Sequence, residues 1–394
     1  MTTATPYTVK TDWVHIQYKE AAAFTETYGF YGSQGAVNLE GILMRPEGHS
    51  SKTLLIYMHP SSTLQLLPVP KAMVQSGAHV LCAASRYAKN DAALIMEKVV
   101  LDLGAYIRHA KEVWGYEKIV LVGWSGGGSL ALFYQSQAER PTITHTPAGD
   151  PVDLINAGLI PTDAVIFQAA HLSRCQLLAD IIDPSVLDEL RPDDREAELD
   201  IYDAKNPNQP AYSSEFIAKY RAAQIARVRR ITEWVKETLD DLRERNTGEL
   251  ERGFVVHRTL ADPRFLDPDL DPNSRKPRWC YMGNPETVNT GPVGLARFCT
   301  LRSWLSQWSI DDSRANGLTC AAAMRAPLLV IENSADDAVP QPHTPMLFEA
   351  AGSTDKTMRV IQGANHYYLG QPELLSEATR LTRSWLNDRD LLEH

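Results

Sequence analysis

The feature that most constrains this chain is a series of short strand-like runs that alternate with stretches of helical periodicity. Runs such as TLLIYMH and AHVLCAAS are apolar almost throughout, which is typical of strands covered on both faces. The strand-like runs lie at residues 38–47, 53–59, 78–85, 117–123, 162–170, 326–333 and 357–363, and the helical patterns at 91–115, 128–138 and 372–390. Strands that alternate with helices indicate a mostly parallel sheet joined by right-handed crossovers. The sequence therefore predicts an α/β fold in which helices flank a mostly parallel sheet.

This alternation stops between residues 171 and 320, where no short apolar run of the same kind occurs. About 150 residues is far longer than an ordinary connection within a domain. We therefore expect residues 1–170 and 321–394 to form one α/β core, with 171–320 as a large, mainly helical insertion.

Two helices are predicted inside the insertion. The first has an amphipathic pattern over residues 214–245, with Ser213 or Ser214 suited to cap its start and Asn246 and Gly248 suited to end it. The second is expected over residues 291–310. Both helices are expected to cover a substrate pocket.

Charge and composition exclude several classes of partner. The formal net charge is −10, which disfavours nucleic acid or an anionic membrane as the main partner. No apolar run approaches the ~20 residues of a membrane span, and the first residues lack the pattern of a secretory signal. Five cysteines are scattered without C-x-x-C spacing, as in reduced intracellular proteins. A cytoplasmic protein is expected, and a homo-oligomer is compatible with this sequence.

A glycine-rich segment, GWSGGG, surrounds Ser125 with four glycines. Glycine within regular structure is unfavourable by about 1 kcal/mol relative to alanine, so the four glycines need an explanation. The segment lies between a predicted strand, 117–123, and a predicted helix, 128–138. In that context G-x-S-x-G indicates a nucleophile elbow, a turn so tight that flanking side chains would collide. A purely structural glycine turn is the alternative.

A serine hydroxyl needs a base, and the base needs an acid, before the serine can act as a nucleophile at neutral pH. Asp336 and Asp337 follow the predicted strand that ends at residue 333, and His366 follows the next strand. The chain order of serine, acid and histidine is the order used by this kind of elbow. Either aspartate can supply the acid by position alone.

Together these segments resemble the α/β-hydrolase family. The residues around Ser125 are similar to its nucleophile motif, SADDAVP resembles its D-x-x-V-P acid segment, and GANHYYLG resembles its G-x-x-H segment. The resemblance implies an α/β-hydrolase fold with Ser125, Asp336 and His366 as catalytic triad and Asp337 as the second choice of acid. It covers residues 38–170 and 321–390, and implies that the insertion is the family's cap domain.

The chain departs from the family in the loop after its third strand. Family members commonly carry His-Gly there, whereas this chain has His59, Pro60, Ser61 and Ser62. Proline has no N–H to donate. The N–H groups of Ser61 and Gly126 are therefore predicted to form the oxyanion hole. Ser62 is a candidate substrate contact, and His59 is expected to anchor the loop.

Several other side chains are candidates for the pocket. His171, just past a strand end, and Tyr367, beside His366, are predicted substrate contacts. Arg86 fits either an anionic substrate group or a buried ion pair. Trp304 and Trp308, four residues apart, are expected to pack within one helix.

These residues predict a serine hydrolase that cleaves a small carboxylic ester through an acyl-enzyme. The same groups can act on an amide, a thioester or a carbon–carbon bond, or transfer the acyl group. A non-catalytic receptor for a small molecule is the alternative from another class. No metal or organic cofactor is implied, and a hydrophobic or aromatic substrate is expected.

Overall fold

The computed structural model describes residues 6–20, 35–271, 274–292, 294–339 and 341–392. These residues contain ten strands: β1 (Val9–Lys19), β2 (Ala36–Pro46), β3 (Thr53–His59), β4 (His79–Ala84), β5 (Lys118–Ser125), β6 (Ala164–Ala170), β7 (Gly253–Val255), β8 (Phe298–Thr300), β9 (Leu328–Asn333) and β10 (Lys356–Ile361). They also contain ten α-helices: α1 (Pro68–Gln75), α2 (Met96–Glu112), α3 (Gly127–Glu139), α4 (Arg174–Ile181), α5 (Ser214–Arg245), α6 (Pro285–Thr290), α7 (Leu301–Gln307), α8 (Gly317–Ala323), α9 (His343–Ala350) and α10 (Pro372–Asn387).

Eight of the strands form one sheet in the order β1, β2, β4, β3, β5, β6, β9 and β10. The six strands from β4 to β10 in that order are parallel, whereas β1 and β2 add an antiparallel edge. The predicted mostly parallel sheet is therefore confirmed. The antiparallel pairing of β1 with β2 was not expected from the sequence.

The apolar runs form strands because both faces of the sheet are covered. Along β3, Leu54 and Ile56 pack into the cluster that contains the buried sides of α2 and α3, whereas Leu55 and Tyr57 pack on the other face with α1 and α10. Successive side chains of a strand point to opposite faces. A strand between two helical layers is therefore apolar at every position.

The insertion has a hydrophobic cluster of its own. The apolar stripe of α5, including Val228 and Val235, packs with residues of α4 and α7. Trp304 and Trp308 are fully buried, and their rings stack at 5.0 Å between centroids. The two tryptophans pack within one cluster, as predicted. The apolar stripe of α5 is buried in the same cluster, whereas it was predicted to cover a substrate pocket.

The limits of α5 agree with the sequence prediction, whereas those of the second helix do not. The Ser213 hydroxyl accepts the Phe216 N–H at 3.1 Å, and Asn246 ends α5 with φ of +47°. The predicted helix over 291–310 is wrong in its first half, because β8 pairs with β7 before α7 begins. Thr300 starts α7 with a capping box to Ser303.

The structure also bears on the cysteines and on membrane-spanning segments. All five cysteines are free and buried, as expected. Within the described ranges, no helix combines the length and the apolar character that crossing a membrane requires.

Glu97 is a buried carboxyl group that joins the core to the insertion. Its side chain is fully buried on α2, and its Oε2 accepts a hydrogen bond from the Ser306 hydroxyl of α7 at 3.3 Å. Among the described residues, its Oε1 has no hydrogen-bond partner. Burial raises the pKa of this carboxyl to about 7. Glu97 is therefore held in its neutral form at mildly acidic pH.

This burial predicts a pH-dependent stability. The unfolded carboxyl ionises above its ordinary pKa, while the folded one keeps its proton, so stability is lost as pH rises towards 7. Glu97→Gln should therefore raise the free energy of unfolding by about 1–3 kcal/mol at pH 8 and change it little at pH 4.5. Urea unfolding at both pH values measures this, with the exposed Glu112 of the same helix as control (Glu112→Gln). An equal effect of Glu97→Gln at both pH values would contradict the prediction.

Candidate active site

The topology brings the predicted site residues to one edge of the sheet. His59 and Ser125 are the last residues of β3 and β5, and His171 directly follows β6. Asp336 and His366 lie in the loops that follow β9 and β10. The carboxyl ends of parallel strands share one edge, which is where α/β sheets bind ligands.

Ser125 occupies a strained turn between β5 and α3. Its φ is +53°, in the left-handed region that few residues other than glycine adopt. Its pairing register with β6 shifts between Trp124 and Ser125. A Cβ on Gly123 would lie 2.6 Å from the Gly127 carbonyl oxygen, so only glycine fits this position. The glycines are thus explained by a tight turn that presents a half-buried Ser125.

His366 is paired with Asp336. Its Nδ1 lies 3.0 and 2.9 Å from the two carboxylate oxygens of Asp336, and both residues are buried. Asp336 Oδ1 also accepts the N–H groups of Ala338 and Val339 at 2.8 Å. These bonds fix the carboxylate, which in turn holds the imidazole proton on Nδ1 and leaves Nε2 as an acceptor.

Asp337 has a different environment from its neighbour. Its Oδ1 accepts the backbone N–H of His366 at 3.3 Å. Burial and the adjacent Asp336 charge raise the pKa of the Asp337 carboxyl. The structure therefore pairs the His366 imidazole with Asp336, while the Asp337 carboxylate bonds the backbone N–H of His366.

Aromatic contacts join the Ser125 turn to the His366 loop. The rings of Trp124 and His366 lie 4.3 Å apart, and Trp124 Nε1 donates to the His366 carbonyl oxygen at 3.4 Å. The Tyr367 ring lies edge-on to His366 at 4.9 Å. The predicted contact Tyr367 is thus part of the same cluster.

In the loop after β3, His59 anchors the chain as predicted, whereas the Ser61 N–H is placed differently from its prediction. The N–H groups of Ser61 and Ser62 both donate to His59 Nδ1 at 3.1 Å. Pro60 has no N–H, and its carbonyl oxygen accepts the Ser85 hydroxyl at 2.5 Å, so the chain turns back over the imidazole. The Ser61 N–H therefore faces the His59 ring instead of a substrate oxygen, and the Ser62 side chain is exposed.

Gly126 lies against the other side of that imidazole. A Cβ on Gly126 would lie 2.5 Å from His59 Nε2. Its own φ of −60° is ordinary, so the ring contact, not the backbone angle, requires glycine here. His59 thus connects the loop after β3 with the first turn of α3.

His171 and Arg174 add buried polar groups to the same region. Among the described residues, the Nδ1 of the buried His171 has no hydrogen-bond partner. Burial, together with the charges of His343 and Arg174, holds the pKa of His171 well below its ordinary value. Arg174 donates to Asp91 at 2.6 Å and to Gln307 at 2.8 Å. Arg174 stands in no recognisable motif, and only its position in the fold places it near the site.

Of the two predicted roles of Arg86, the structure agrees with the buried ion pair. Arg86 is paired with the buried Asp102 at 2.8 Å, and it also contacts Glu20 and Tyr18. Arg86 follows the end of β4, Tyr18 and Glu20 lie at the end of β1, and Asp102 is on α2. Arg86 therefore belongs to a buried ion-pair network.

Tyr281 of the insertion reaches the His366 loop. Its backbone N–H donates to the Asp337 carbonyl oxygen at 2.8 Å. Its ring lies 6.2 Å from that of His366 and 6.3 Å from that of Tyr367. Tyr281 was not predicted from the sequence, because it lies in an irregular segment without a motif.

The arrangement of sheet, helices and strained serine turn is that of an α/β-hydrolase fold, as predicted. No family model matches the sequence, and no curated protein matches it. Among solved structures, that of DcsB in complex with its substrate analogue covers 96% of this chain and 99% of its own, at 12% identity and a TM-score of 0.50. The monoacylglycerol lipase of Paleococcus ferrophilus has 16% identity and a TM-score of 0.45, covering 89% of this chain and 98% of its own. An esterase domain from Rhodothermus marinus has 12% identity and a TM-score of 0.45, covering 95% and 98%.

Proposed function

We propose that this protein is a serine hydrolase that cleaves a small carboxylic ester through an acyl-enzyme. The observation that carries the proposal is the strained Ser125 turn, joined through Trp124 to the buried pair of His366 and Asp336. A strained residue persists only where surrounding structure holds it, and such residues cluster at functional sites.

The groups can perform acyl transfer in two steps. Ser125 Oγ attacks the ester carbonyl carbon while His366 Nε2 accepts the hydroxyl proton, and Asp336 stabilises the resulting imidazolium. The tetrahedral intermediate collapses, and His366 returns the proton to the leaving alcohol. Water then attacks the acyl-enzyme by the same route, giving a carboxylic acid and free Ser125. The Gly126 N–H, at the start of α3, is positioned after the nucleophile to stabilise the oxyanion.

The aromatic cluster favours a hydrophobic or aromatic substrate. Trp124, Tyr367 and Tyr281 surround His366 with ring centroids 4.3 to 6.2 Å away. Ligand pockets are mostly apolar with few polar groups. His171, which directly follows β6, and Arg174, the first residue of α4, are buried polar groups at the same edge of the sheet.

Residues 171–320 are proposed to act as a cap over this site. Tyr281 supports the assignment, because it contacts both the Asp337 main chain and the rings of the His366 loop. We expect Tyr281→Ala to raise KM for aromatic esters about tenfold, as expected for an aromatic contact of 1–1.5 kcal/mol, and to change the ranking of esters. Steady-state kinetics on esters of increasing acyl size measures this. Trp234→Ala, at an exposed position of α5, is the control, and an unchanged ranking in Tyr281→Ala would argue against the cap role.

A labelling experiment tests the function itself. A fluorophosphonate probe should label the wild-type protein covalently and leave Ser125→Ala unlabelled. A panel of p-nitrophenyl esters, with matched amides and thioesters, then identifies the scissile bond. Labelling that does not depend on Ser125 would overturn the proposal, and absence of any labelling would favour the small-molecule receptor.

A further inference from the structure

His59 has the hydrogen-bonding pattern of a fixed donor. Its Nδ1 accepts two backbone N–H groups, those of Ser61 and Ser62, at 3.1 Å. A neutral imidazole that accepts at one nitrogen carries its proton on the other. The two backbone bonds therefore place the proton on Nε2.

That nitrogen lies beside the residue that follows the nucleophile. A Cβ on Gly126 would lie 2.5 Å from His59 Nε2, and no described residue accepts a hydrogen bond from this nitrogen. Burial, together with the charges of Arg174 and His366, lowers the pKa of His59 to about 3. His59 is thus a neutral donor across the range in which an esterase works.

We propose that His59 Nε2–H is the second donor of the oxyanion hole, beside the Gly126 N–H. It takes the place of the loop N–H groups, which are engaged by the same imidazole. This inference rests on the proposed function. As Ser125 attacks, the two electrons of the carbonyl π bond move to its oxygen, which accepts hydrogen bonds from Nε2–H and the Gly126 N–H. No proton is transferred from His59, and both bonds weaken when the carbonyl re-forms.

Two substitutions separate this role from anchoring of the loop. In His59→Asn, the amide oxygen replaces Nδ1 as acceptor, so the anchor remains while the donor is lost. In His59→Gln, the amide nitrogen reaches the place of Nε2, so the donor remains while the anchor is lost. We expect kcat to fall about 10²–10³-fold in His59→Asn, the usual effect of losing one oxyanion donor, with little change in KM or Tm. His59→Gln should have a lower Tm but lose less than tenfold in kcat.

A matched control uses another buried histidine. His79 bonds Tyr116 and the His49 carbonyl oxygen, remote from the strand ends that hold the site. His79→Gln should lower Tm and leave kcat per folded enzyme unchanged. If His59→Asn kept wild-type kcat, or if His59→Gln lost as much kcat as His59→Asn at equal folded fraction, the donor role would be wrong.

A second measurement does not depend on catalysis. Nitrogen-15 NMR of labelled histidine should show His59 as the Nε2–H tautomer, neutral at pH 5. An Nδ1–H tautomer or a protonated ring at that pH would overturn the inference. Failure of the proposed function has a different signature, since the wild-type protein would then lack Ser125-dependent labelling while the His59 tautomer stayed as described.

Discussion

Ser125→Ala is expected to lower kcat for a p-nitrophenyl ester by about 10⁴–10⁶-fold, because members of a catalytic triad act as a unit. Without the hydroxyl there is no acyl-enzyme, and His366 and Asp336 have no nucleophile to activate. Tm should stay close to that of the wild type, since Ser125 is half-buried and no described residue bonds its hydroxyl. Serine and alanine both carry a Cβ, so we expect the positive φ to be about equally unfavourable for either residue.

Ser136→Ala provides the control for that experiment. Ser136 lies on α3, the helix that follows the turn, and its hydroxyl donates to the Phe133 carbonyl oxygen of the same helix. Its removal should change kcat less than threefold by the usual effect of a substitution away from the site. Retention of more than a tenth of the wild-type kcat in Ser125→Ala would rule out the acyl-enzyme mechanism.

The parts of the fold that the sequence predicted are those with a strong local pattern. β3 was predicted with the limits that it has, because both of its faces are covered and every residue is buried. α5 was predicted because its apolar residues recur at helical spacing, and Ser213 and Asn246 lie at its ends as expected. β1 was missed, since most of its side chains are exposed or half-buried and pairing with β2 alone makes it a strand.

In the candidate site, too, the residues that stand in local motifs were predicted from the sequence, whereas contacts that depend on the fold were not. Ser125, Asp336 and His366 were predicted as site residues because each stands in a short motif after a predicted strand. The anchoring role of His59 was also predicted, but its partners, the N–H groups of Ser61 and Ser62, were not, because they depend on the path that the chain takes after Pro60. No local pattern records such a turn.

Contacts between distant parts of the chain also could not be predicted from the sequence. Tyr281 approaches the ring of His366 from an irregular segment of the insertion. Its position follows from how the insertion packs on the strand ends. Sequence spacing carries no information about that packing, so the polar and aromatic surroundings of the triad became visible only in the fold.

Asp336→Asn is expected to lower kcat about 10³–10⁴-fold, by analogy with other triads. The amide oxygen can still accept the N–H groups of Ala338 and Val339, so the loop should stay folded. The amide nitrogen then faces His366 Nδ1 as a donor. This arrangement favours the tautomer with its proton on Nε2, which cannot accept the proton of Ser125.

Asp337→Asn is the matched comparison, because the two aspartates are adjacent and differ in what they contact. Asp337 meets His366 only through the backbone N–H, and an amide oxygen can accept that bond equally well. We therefore expect kcat to fall less than tenfold, since no group that moves a proton is altered. Steady-state kinetics of the two variants at pH 7 to 9, with Tm measured for each, decides between the two acids. A larger loss of kcat in Asp337→Asn than in Asp336→Asn would mean that the bond between His366 Nδ1 and Asp336 does not serve catalysis. The catalytic acid would then have to be reassigned to Asp337.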